Sequence, residues 1–67
     1  MRPVTKDDIR SLVGSYVLVR FIDGEEVDGD LTILSSERPV FCLRERQKKR
    51  EHHFTTPSVL HIHPLSV

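Results

Sequence analysis

The sequence predicts a mainly-β domain: five short strands rolled into a small, strongly bent barrel behind a short N-terminal α-helix. Three observations predict it. Apolar residues alternate with a period of two from Tyr16 onward, Asp23-Gly24 interrupts that alternation with a hairpin dipeptide, and Gly29 stands inside the following strand. A chain of 67 residues can support one hydrophobic core, so 1–67 reads as a single domain, with a lid helix over 5–13 and a barrel over 15–64. Such a core is thin, which makes association with further copies a reasonable expectation.

The helix is signalled first. Thr5 can accept a free backbone amide, while Asp7 and Asp8 oppose the positive end of the helix dipole. Ile9, Leu12 and Val13 recur at offsets of three and four, and Gly14 supplies a stop. The first strand follows, with Val17, Val19 and Phe21 on its inner side. At Asp23-Gly24 both central turn positions favour positive φ. The second strand starts near Glu25 and points Val27, Leu31 and Ile33 inward, with Gly29 at the inward position between them, where a barrel strand has to bend.

Residues 35–39 read as a loop and Val40-Phe41-Cys42-Leu43 as a third strand, apolar on both faces. The polar run 44–49 is a hairpin tip, and 50–55 a fourth strand carrying Phe54 inward. A corner at Thr55-Thr56-Pro57-Ser58 leads to a fifth strand over 59–63, which Pro64 ends.

Formal net charge is zero, but the two signs are separated. Residues 1–37 hold four basic and eight acidic residues, a net −4, and the remainder holds six and two, a net +4. Oppositely charged surfaces could meet between copies, the basic half could meet RNA, or both could be solvated loops. A single cysteine, Cys42, excludes an internal disulfide and a paired-cysteine zinc motif. The opening residues lack the apolar run of a secretory signal, and no stretch approaches the roughly 20 apolar residues of a membrane helix. A cytoplasmic protein without membrane contact is expected.

The order of these signals resembles the Sm-like (Lsm) family of SH3-like small barrels. The segment that carries the resemblance is Tyr16-Val17-Leu18-Val19-Arg20-Phe21-Ile22-Asp23-Gly24-Glu25-Glu26-Val27-Asp28-Gly29-Asp30-Leu31. The resemblance implies a ring or smaller homo-oligomer in which the fourth strand of one copy pairs with the fifth of the next. His52, His53, Val59, Leu60, His61 and His63 would line that contact. It also implies a uridine pocket built from two loops, and here the sequence departs from the family. Ser35 stands where an Asp is expected, Pro39 or Val40 where an Asn is expected, and no Arg-Gly follows Phe54. Arg38, Thr55 and Thr56 are the substitutes at matching positions. The shorter phrase Phe21-Ile22-Asp23-Gly24-Glu25 also resembles the bacterial antiterminator that inhibits the Rho helicase, a binder of protein and not of RNA.

Two constellations remain. Arg46, Lys48, Lys49 and Arg50 crowd the hairpin tip and could grip phosphates without reading bases, since no aromatic is interleaved among them. Four histidines occupy the last sixteen positions. On a subunit edge they would charge near a pH of about 6.5 and repel one another. His61 and His63 with His52 or His53 could in principle hold a metal, but only Glu51 sits nearby to join them and surface histidines on β-edges are commoner than ligand sets. No metal site or cofactor is therefore expected, and no catalytic set, because Cys42 reads as packing. The expected function is therefore a non-enzymatic scaffold that binds single-stranded RNA weakly through charge, or a protein-interaction module with no nucleic-acid role.

Overall fold

The computed structural model describes residues 3–65, so Met1 and Arg2 of the opening segment lie outside it. The chain forms α1 (Lys6–Arg10), β1 (Tyr16–Phe21), β2 (Glu26–Ser35), β3 (Val40–Arg44), β4 (Glu51–Phe54), a 3-10 turn at Thr56–Ser58, and β5 (Val59–Pro64). All pairings are antiparallel, and the five strands form one sheet in the order β4-β3-β2-β1-β5.

The N-terminus of α1 is closed reciprocally. Thr5 Oγ1 accepts from the Asp8 amide at 3.3 Å while Asp8 Oδ2 accepts from the Thr5 amide at 2.9 Å. The helix is shorter than its apolar spacing predicts, ending at Arg10. Beyond it the amides of Leu12, Val13 and Ser15 bond three residues back, which tightens the chain so that Gly14, at φ 93°, can donate to the Leu31 carbonyl. Its stripe still does what the spacing requires: Ile9 is fully buried, and Leu12 and Val13 pack on the core.

The β1–β2 turn differs from the tight two-residue form. Gly24 has φ 92°, whereas Asp23 is not at positive φ. The Phe21 carbonyl accepts from Gly24, the Phe21 amide donates to Glu25, and Asp23 Oδ1 accepts from the Glu25 amide. One left-handed glycine therefore suffices, with the aspartate acting through its side chain as in a three-residue hairpin loop.

Strand β2 is long because it serves two partners in succession. Residues 26–30 pair with β1, and residues 30–35 pair with β3. Gly29 sits just before the changeover, and a Cβ there would stand 2.4 Å from the Arg44 carbonyl oxygen. Only glycine lets the end of β3 cross β2 this closely.

The expected alternation fills the core. Ile9, Val17, Val19, Leu31, Phe41 and Leu43 are fully buried, and Val27, Phe54 and Val59 are nearly so. Each such aliphatic side chain contributes on the order of 2 kcal/mol relative to exposure. Phe54 of β4 meets Phe41 at 5.8 Å between ring centroids and Phe21 of β1 edge-on at 5.3 Å. Since β1 and β4 are not neighbours in the sheet, this contact requires the sheet to curl. Among the described residues no pairing between β4 and β5 closes the sheet, so each keeps an outer edge. No helix of the described chain is long and apolar enough to cross a membrane.

Candidate functional site

The basic hairpin tip is largely answered from within the chain. Arg46 reaches back to β2, where Nε donates to Asp30 Oδ2 at 3.0 Å and an Nη to Asp30 Oδ1 at 2.8 Å. Its guanidinium also lies 4.2 Å from the centre of the Tyr16 ring. That forked bond holds the Asp30 carboxyl below its ordinary range and raises Arg46 further. Beside it the Tyr16 hydroxyl donates to Asp28, which raises the phenol. Arg44 donates to Glu51 at 2.9 Å, and Glu45 sits 2.8 Å from His52 and 3.9 Å from Arg50. Of these ion pairs, Arg46 with Asp30 joins the basic second half to the acidic first half, and the others lie within the second half.

Lys48, Lys49 and Arg38 form no ion pair among the described residues and are exposed. Lys49 also supplies its backbone: at φ 52° it turns the tip so that the Glu45 amide reaches the Arg50 carbonyl.

The RNA-contacting candidates do not converge. Arg46 and Lys48 line a small cavity with Glu26, Asp28 and Glu45, whose carboxylates oppose a phosphate. Thr55 instead lines a separate open groove of about 670 Å³, formed by the β1–β2 turn, β4 and the 3-10 turn. Among the described residues its walls include Phe21, Ile22, His53, Phe54 and Ser58, and no lysine or arginine. Thr56 is half-buried at the start of the 3-10 turn, and Arg38 lies on the β2–β3 loop.

Sequence reasoning missed this groove. Its one visible signal is Ile22, an apolar residue at a hairpin turn, which stays 67% exposed. The Ile22 amide donates to the Ser58 carbonyl, tying one wall to the other.

The interface candidates divide in the same way. Val59 is a correction: it is buried in the chain's own core, where its β5 position faces the interior, so little of it is left for a partner. Leu60 is 51% exposed at the register shift where β5 meets β1. His61 and His63 share a face, with Nε2 of one 3.1 Å from Nδ1 of the other, so one ring donates and the other accepts. His52 faces Glu45 and His53 faces Glu51.

Cys42 is buried, as its apolar strand predicts, but it lies outside the main core cluster. It has neighbours the sequence did not reveal. The β3–β4 register sets it opposite His53, and Sγ lies 3.8 Å from Glu51 Oε2. Sγ, a Glu51 oxygen and a His53 nitrogen all fall within 4.8 Å of one another. The Arg44 and His53 bonds hold the Glu51 carboxyl below its ordinary range. Compared with known proteins, the chain matches no protein-family model, and no curated protein or solved structure matches it significantly.

Proposed function

We propose that this protein is a non-enzymatic scaffold of the Sm-like kind, a curled small barrel that assembles with copies of itself through the free edges of β4 and β5. The observation that carries the reading is that, among the described residues, β4 and β5 each keep an unpaired outer edge, one at each end of the sheet order. An edge strand presents a row of backbone donors and acceptors that another strand can complete. The curl that sets Phe54 against Phe21 supports a barrel-like form, and exposed Leu60 on β5 offers apolar area to the contact. A light-scattering mass that is a multiple of the 7.8 kDa chain is expected. A monomer mass at every concentration overturns the proposal. A cytoplasmic setting suits the lone free thiol.

Charge-driven binding of single-stranded RNA is the second reading, carried by exposed Arg38, Lys48 and Lys49, because Arg46 and Arg50 have acidic neighbours. Titration of uridine-rich and adenine-rich strands at two salt concentrations tests it. Binding that ignores base identity and falls steeply with salt supports this reading, and absence of binding at low salt leaves a protein-interaction module.

A further inference from the structure

The outer face of the β3–β4 hairpin gathers a thiol, a carboxylate and an imidazole from residues that share no motif. The cross-strand register pairs Cys42 with His53, and Glu51 comes alongside from two positions earlier on β4. Glu51 Oε2 is the common point, 3.8 Å from Cys42 Sγ and 3.5 Å from His53 Nε2. A tetrahedral ion bound at about 2.0–2.3 Å from each donor holds its donors about 3.3–3.8 Å apart. Both distances therefore have the length of an edge of such a tetrahedron.

We propose that Cys42, Glu51 and His53 form a three-ligand site for a divalent, zinc-type ion, with the fourth position open to solvent. The donor set has the right chemistry: a thiolate and an imidazole suit a borderline-soft ion, and the carboxylate adds a second negative charge, so that two anions offset the dication. Arg44 takes the other carboxylate oxygen, Oε1, at 2.9 Å, and so leaves Oε2 turned toward the cysteine and histidine. Access is from outside the sheet, because Glu51 and His53 are exposed while Cys42 forms the floor at 4% exposure. Ion entry displaces the thiol proton, leaving Cys42 as the thiolate ligand. The site lies within one chain and does not depend on assembly.

Cobalt(II) titration of the metal-free protein, followed by zinc(II) competition, tests the site. The expected result is one cobalt ion per chain with tetrahedral visible absorption and a thiolate-to-cobalt band in the near ultraviolet, both removed by zinc. Cys42→Ser should abolish the near-ultraviolet band. His53→Ala should weaken binding at least about tenfold, as loss of a ligand exceeds the loss of a group that merely orients one. If Cys42→Ser does not fold, the exposed positions carry the test through His53→Ala and Glu51→Gln, with circular dichroism confirming the fold. An octahedral spectrum without the thiolate band overturns the proposal. So does binding that survives His53→Ala and is lost in His61→Ala, because the ion would then sit on the His61/His63 pair.

Discussion

The centre of the sheet and its two edges are built from similar alternations of apolar and polar residues, yet they are left with different needs. β2 has a neighbour on each side, residues 26–30 pairing with β1 and residues 30–35 with β3, and its one gap in side chains, Gly29, is filled by the Arg44 carbonyl. β4 and β5 bury Phe54 and Val59 equally well but, among the described residues, are each paired on one side only. Burial and pairing are thus separate demands. A strand can satisfy the core completely and still present an edge to another molecule.

The largest expected effect breaks the centre. Gly29→Ala drives a Cβ into the Arg44 carbonyl and is expected to lower stability by about 3 kcal/mol, with the loss read by denaturant unfolding. An unchanged midpoint would mean that β3 does not cross β2 so closely.

A smaller effect tests the ion pairs that tie each region. Arg46→Ala removes both the Asp30 fork and the Tyr16 contact, but these groups are exposed. The loss should be well below that of Gly29→Ala and should shrink further as salt is raised. The same pairs give the acid side of the stability curve its direction. Asp30 and Glu51 are both held below their ordinary values in the folded chain, so as pH falls the unfolded chain takes up their protons first. Their contribution is complete above the ordinary carboxylate range and is lost as pH falls through the depressed folded values. Asp30→Asn should flatten that decline, measured by thermal unfolding across the acid range.

The smallest effect on the single chain sharpens the contrast at the edge. Leu60→Asp, at a half-exposed position, is expected to change chain stability by no more than about 0.5 kcal/mol. It should nevertheless lower the native mass toward that of the monomer, separating what the edge does for the fold from what it does between copies.

Much of the architecture was legible because it depends on local rules. A period of two places Val17, Val19, Val27 and Leu31 on one side whatever their partners are, and the Thr5/Asp8 cap needs no residue beyond the first turn. The site was less legible. Arg46 looked like a free phosphate ligand until the hairpin folded it over Asp30, sixteen residues away, and Thr55 looked like its companion until the two lay in different hollows. The cluster of Cys42, Glu51 and His53 had no spacing to betray it, since the turn across 45–50 alone decides which residue of β4 stands opposite the cysteine.

By itself, then, the sequence determined which residues turn inward and where the chain reverses. Those outcomes follow from backbone sterics and from the hydrophobic effect acting on short stretches. The tertiary structure decided which charges neutralise one another, which strands end the sheet, and which polar side chains share a face. Those depend on strand order and register, and a shift of one residue would turn each of those side chains to the opposite side.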